Sequence, residues 1–168
     1  LLQKLGFIDV LGCCDVLVGK RLEGFGMQLS EHFTLDEFTL SQTASRLGID
    51  NTPPSNILPK LNTLAAGMEM VRELLGSKPI SISSGYRSPA LNAAVRGQIS
   101  SQHQLGEACD FTCPSFGTPA DIVKAIVASD VPYDQVIQEF NSWVHVSFST
   151  RNRQQALIID KNGTREFA

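Results

Sequence analysis

The chain has 168 residues, 42% of them hydrophobic and 18% charged, with a formal net charge of −3. That length sets one compact domain as the default, and the composition supplies a sizeable core. The negative balance argues against a protein that grips nucleic acid through its phosphates, and no block of like charges suggests a tail.

Residues 1–26 begin Leu-Leu, and Met27 reads as a natural start before the first well-formed element. The stretch is expected to be an extension without functional content, in front of one domain over 27–168. Its apolar run at 7–18 is interrupted by Asp9 and Asp15, which makes it too short and too charged to span a bilayer. It also lacks a clear signal-peptide pattern. Cys13, Cys14, Cys109 and Cys113 form no C-x-x-C pair. They are expected to be reduced and to act as small apolar residues, not as a zinc knuckle or a disulfide framework.

Thr34-Leu35-Asp36-Glu37 has the form of a capping box, which predicts a helix ending near Gly48. A loop follows at 50–55. Apolar residues then recur at three- and four-residue steps from Ile57 to Leu75, predicting a long amphipathic helix that stops at Gly76. Alternation at 80–83 predicts a strand. Ser88-Pro89 opens a short helix over about 89–96. A loop carrying His103 feeds a strand at about 108–112, and Thr118-Pro119 opens another helix. Strands at 135–140 and 143–148 are expected to meet through a tight turn at Asn141-Ser142. A last hairpin is expected at 156–159 and 164–167. Helices come first and strands cluster late, which predicts an α+β domain with a mainly antiparallel sheet.

The chemistry concentrates in two short segments. Ser101-Gln102-His103-Gln104-Leu105-Gly106-Glu107-Ala108-Cys109-Asp110 and Trp143-Val144-His145-Val146-Ser147-Phe148 hold two of the three histidines. In a strand at 108–112, Cys109 and Phe111 would face the core and Asp110 the other side. In the second segment Val144, Val146 and Phe148 make a core face, which displays Trp143, His145 and Ser147 opposite. Gly106 lets the His103 loop turn tightly. His103, Asp110 and His145 can therefore make three corners of a tetrahedron around one zinc ion, with water at the fourth. Such a water is acidic enough to supply hydroxide at neutral pH, which favours amide hydrolysis. His32, beside the first helix, has no partner pattern and reads as structural.

S-x-H-x-x-G-x-A-x-D at 101–110 followed by W-V-H-V-S at 143–147 resembles the zinc D-alanyl-D-alanine carboxypeptidases and L-alanyl-D-glutamate endopeptidases that cut peptidoglycan stem peptides. Ser84-Gly85-Tyr86-Arg87-Ser88 resembles an S-G-[YF]-R-[ST] segment of that family, and residues 29–38 resemble the start of its small phage and bacterial members. The resemblance spans about 29–150, with the three motifs in the family's order. It implies the fold shared with Hedgehog signalling domains, with a small antiparallel sheet and helices on one side. It implies one zinc held by His103, Asp110 and His145, and a peptidoglycan stem peptide as substrate. It also implies that Arg87 points into the cleft, to bind a substrate carboxylate or the oxyanion formed at the attacked carbonyl.

The family needs a carboxylate as general base. In some members it lies three residues before the last histidine ligand, a position occupied here by Ser142. An E-F before W-V-H resembles the small phage-type members, which points to Glu139, with Gln138 and Glu107 as fallbacks. A three-residue loop at 141–143 would set Glu139 opposite His145 on a shared face. A two-residue loop at 141–142 would put Gln138 there and turn Glu139 into the core. Trp143 is either a cleft wall for substrate or a packed aromatic, and Ser101 is expected to support the ligand loop beside the substrate. The activity expected is that of a monomeric zinc peptidase acting on the cell wall, of phage or bacterial origin. The alternatives are a non-catalytic zinc-containing module of the same fold, or an enzyme acting on another small amide.

Overall fold

The computed structural model describes residues 26–167. The expectations for residues 1–25, including those for Cys13 and Cys14, lie outside the described residues.

The capping box forms: the Glu37 carboxylate accepts from the Thr34 backbone N–H at 2.8 Å. It opens α1 (Leu35–Thr39), but the helix does not run on to Gly48 as expected. Leu40 is extended, and Ser41 caps a second helix, α2 (Gln42–Leu47), by accepting from Ala44 N. A serine in mid-helix competes for backbone hydrogen bonds, and here it restarts the helix. α3 (Leu58–Leu74) buries Leu61, Leu64, Met68 and Val71, and Gly76 follows it in the left-handed region at φ +75°. β1 (Ser81–Ser84) and α4 (Pro89–Ala94) follow, the latter capped by Ser88. A short 3-10 helix (Gln102–Leu105) carries His103. Then come β2 (Ala108–Thr112), α5 (Pro119–Val127), β3 (Gln135–Glu139), β4 (Trp143–Ser147), β5 (Gln155–Asp160) and β6 (Gly163–Glu166). Among the described residues, no helix is long and apolar enough to cross a membrane.

The six strands form one sheet in the order β1-β2-β4-β3-β5-β6. The fold is α+β, but the sheet is mixed, because β5 runs parallel to β3. Strands that follow one another in the chain are usually neighbours. Here residues 148–154 step past the start of β3, so β5 lies on its far side and runs in its direction. The crossing is held by backbone bonds at Asp134, whose N–H donates to Ser147 O at 2.8 Å and whose carbonyl accepts from Gln155 N at 3.1 Å.

Alternation separates core from site. Cys109 and Phe111 of β2, Val144 and Val146 of β4 and Val136 of β3 face one way, against α3 and the Ile122, Val123 and Ile126 stripe of α5. Phe111 is fully buried, and truncating it to alanine would cost about 3–5 kcal/mol. Cys109 and Cys113 are buried free thiols in this core, and burial raises Cys109 well above the usual thiol range. Asp110, His145 and Glu139 occupy the opposite face of the sheet.

Candidate functional site

The Ser84–Ser88 segment builds the wall of the site through its backbone as much as through its side chains. Tyr86 N donates to Phe38 O at 2.6 Å, drawing the chain against α1. Gly85 lies so close to Phe38 that a Cβ there would stand 2.7 Å from Phe38 Cα. That approach leaves the Gly85 carbonyl to accept from His103 Nδ1 at 2.7 Å. Tyr86 is buried in the core, and Ser88 caps α4.

His103, Asp110 and His145 converge from three places: the 3-10 helix, β2 and β4. Asp110 pairs directly with His145 across the two strands. His145 Nδ1 lies 2.9 Å from Asp110 Oδ1, and His103 Nε2 lies 3.2 Å from both His145 Nδ1 and Asp110 Oδ1. Their relative exposures are 3, 7 and 8% for His103, Asp110 and His145. Burial pushes His103 below the usual imidazole value, in spite of the opposing charge of Asp110. Burial would raise Asp110, but the attraction of the two imidazoles beside it, His103 first and then His145, holds its carboxyl well below the usual carboxylate range.

These residues fit a metal ion. His103 spends its one neutral-form N–H on the Gly85 carbonyl, so Nε2 turns a lone pair toward the carboxylate oxygen. Two acceptors held this close require a cation or a proton between them. The donor set, two imidazoles and one carboxylate with a backbone carbonyl fixing one ring, is that of a zinc site with an open position. The three donor atoms stand close to the roughly 3.3–3.4 Å separation that tetrahedral ligands take at zinc distances.

Glu139 faces this cluster, but in neither expected register. β3 and β4 are joined by Phe140, Asn141 and Ser142, with Phe140 and Asn141 both left-handed, so Glu139 pairs with Trp143 and Ile137 pairs with His145. Glu139 still shares the face of His145, as a diagonal neighbour at about 7–8 Å, within reach of a glutamate side chain. Burial and the nearby Asp110 charge raise its carboxyl above the ordinary value. Gln138 pairs with Val144 and so lies on the other face, while Glu107 binds Lys60 of α3 at 2.7 Å; neither fallback reaches the cluster. His32 is held by Glu69 of α3 at 2.9 Å.

Arg87 lines the site, but its guanidinium is partly committed. It donates to Asp110 Oδ2 at 2.7 Å and through Nε to Ser84 Oγ at 2.9 Å. Half-buried Trp143 lines the same cleft, with its ring 6.0 Å from that of Phe140 and its buried indole N–H without a partner among the described residues. Ser101 supports the ligand turn through its backbone: its carbonyl accepts from Gln104 N at 3.1 Å, and its side chain makes no capping bond.

A family model described as Peptidase M15 matches residues 31–147, from just before α1 to the end of β4. The chain belongs to this peptidase family. Its members are zinc metallopeptidases, and the His103, Asp110 and His145 cluster lies inside the matched span. A search of curated proteins finds no match.

Sequence reasoning missed two supports of this candidate site. Asn51 donates to Thr39 O and Tyr86 O at 2.8 and 3.0 Å and accepts from Ser88 N at 2.7 Å, clipping the Ser84–Ser88 segment on both sides of Arg87. Asp134 is fully buried beside the ligand turn. Its carboxylate accepts from Gln102 Nε2 at 2.9 Å and from the Arg153 guanidinium at 2.7 and 3.0 Å. Gln102 immediately precedes His103, so the network ties that ligand to the start of β3. The sequence carries no periodic signal for either, since each acts alone from a loop.

Proposed function

We propose that the protein is a zinc-dependent peptidase that hydrolyses an amide bond in a peptidoglycan stem peptide, of D-Ala-D-Ala carboxypeptidase or L-Ala-D-Glu endopeptidase type. The observation that carries the proposal is the triangle of His103 Nε2, Asp110 Oδ1 and His145 Nδ1, 2.9–3.2 Å on a side, with Glu139 on the same face. Residues 27–168 form its catalytic domain, with the fold shared by Hedgehog domains and these peptidases. The candidate ligand set is completed within one chain, so the site needs no residue from a second copy.

His103, Asp110 and His145 would hold one zinc ion, which when bound supplies a Lewis acid and acidifies water. Glu139 takes the proton of the attacking water at its carboxylate and passes it to the leaving amine. Its raised carboxyl value suits both halves of that task. Arg87 holds Oδ2 of Asp110 and keeps donors spare for the oxyanion or a substrate carboxylate. Trp143 forms one wall for the peptide. Ser101 edges the opposite side.

The test is digestion of purified peptidoglycan by zinc-loaded protein, with products identified by mass spectrometry. Peptide release is expected, and Glu139→Gln should keep one zinc while losing roughly 10²–10⁴ in rate. A zinc-loaded wild type inactive on every peptidoglycan and stem peptide would instead establish the non-catalytic module.

A further inference from the structure

The ligand cluster lies where two clefts meet, both lined by Arg87, Val95, Asp110 and Glu139. The cleft on the His103 side, 760 Å³ in volume, adds Arg96, Arg151 and Arg153 and no further acidic residue. In a chain of net charge −3 this is a local reversal of sign. Arg153 is occupied by Asp134 and Gln102, and Arg87 by Asp110. Arg96 and Arg151 are exposed and form no ion pair among the described residues.

Both arginines stand on backbone that is built rather than loose. Arg96 follows the end of α4 at φ +56°, a left-handed post that glycine usually takes. The turn is closed by Gly97 N donating to Asn92 O at 2.8 Å and Asn92 Nδ2 donating to Gln98 O at 2.9 Å. Arg151 sits in the crossing segment before β5, where its N–H donates to Ser149 Oγ at 3.2 Å. Two residues on, Arg153 N donates to Asp134 Oδ1 at 2.9 Å. Asn152 and Gln154 in that segment are also left-handed. Two separate loops thus each present an uncommitted guanidinium to one cleft beside the ion site.

We infer that this cleft is a carboxylate-recognising subsite in which Arg96 and Arg151 bind an acidic group of the peptide substrate next to the scissile bond. Guanidinium–carboxylate pairing is planar and two-pronged, so it fixes the peptide's position as well as attracting it. The inference rests on the peptidase reading for the word substrate, but its test is a binding measurement. The carboxylate has two possible sources: a free C-terminus, or an acidic residue inside the peptide.

The probe is a four-residue peptide containing D-glutamate, made with the internal carboxylate free or amidated and the C-terminus free or amidated. Binding to zinc-loaded Glu139→Gln protein is followed through Trp143, the only tryptophan of the chain, which lines the adjoining cleft and packs on Phe140 of this one. One of the two free carboxylates should strengthen binding roughly ten-fold, weakening with salt. The one that does so identifies the source. Adding Arg96→Gln and Arg151→Gln together should reduce that preference to under about two-fold, with an unchanged melting temperature because both side chains are exposed. No preference in the parent, or a preference that survives both substitutions, overturns the inference. Cleavage is scored separately with protein retaining Glu139. Preferential binding without cleavage of any peptide leaves the subsite standing and removes the peptidase reading. Cleavage without preference does the reverse.

Discussion

Gly85→Ala tests how the site is held. A methyl at this position would lie 2.7 Å from Phe38 Cα and closer still to the Phe38 carbonyl, about 0.7 Å short of ordinary contact at 3.4 Å. The obstacle is backbone on α1, so no rotamer change relieves it, and the Ser84–Ser88 segment must move away. That shift carries with it the Gly85 carbonyl, which accepts from His103 Nδ1, and the Arg87 guanidinium on Asp110. Overpacking of this kind costs about 1–3 kcal/mol, or roughly 3–10 °C in melting temperature for a domain of this size. Disturbing the partner of a ligating histidine lowers metal affinity by about 10–100-fold. The assay pairs thermal unfolding with a competitive chelator titration of zinc. Gly48→Ala is the control: its backbone, unlike that of Gly85, is left-handed at φ +64°, and it has open space around it. It should cost about 1 kcal/mol and leave zinc affinity alone. Wild-type zinc affinity and melting in Gly85→Ala would refute the claim that this backbone contact positions the ligand.

Arg87→Ala removes the 2.7 Å donor from Asp110 Oδ2 and should weaken zinc binding about 10–100-fold, with Arg87→Lys restoring only part because it cannot reproduce the fork to both Asp110 and Ser84. Unchanged zinc affinity in Arg87→Ala would show that Asp110 needs no such support. Asp134 is held well below the usual carboxylate range by hydrogen bonds from Arg153, so its stabilisation is present above about pH 3.9 and is lost as pH falls through its folded value. Asp134→Asn should therefore destabilise the protein by about 2–3 kcal/mol at neutral pH and flatten the acid limb of the melting curve, a figure kept modest because Arg153 is partly exposed and can rehydrate. An acid limb as steep as that of wild type would remove Asp134 as its source.

The candidate ligand set was legible because it rides on strand alternation. Cys109, Phe111, Val144 and Val146 advertise a core face, and that alone turns Asp110 and His145 to the other side. His103 was reachable through Gly106, which does adopt φ +68° at the end of the 3-10 helix. The helices were legible from caps and periodicity, except that Ser41 broke one predicted helix into two. What was hidden depends on chain pairs far apart in sequence. The parallel β3–β5 pairing follows from a crossover that no local pattern announces. The loop between β3 and β4 was misplaced because Phe140, a poor candidate for left-handed backbone, belongs to it. Parity kept Glu139 on the face of His145: two residues of displacement along the partner strand return the side chain to the same face. Asn51 and Asp134 gave no signal, since a single buried polar residue in a loop looks like any other until its partners are in place.

X-ray absorption at the zinc edge of reconstituted protein tests the account most directly. One zinc per chain in a nitrogen and oxygen shell at about 2.0–2.1 Å, abolished by His103→Ala, Asp110→Ala or His145→Ala, is the predicted result. Protein that takes up no zinc, or zinc with sulfur in its shell, would contradict it.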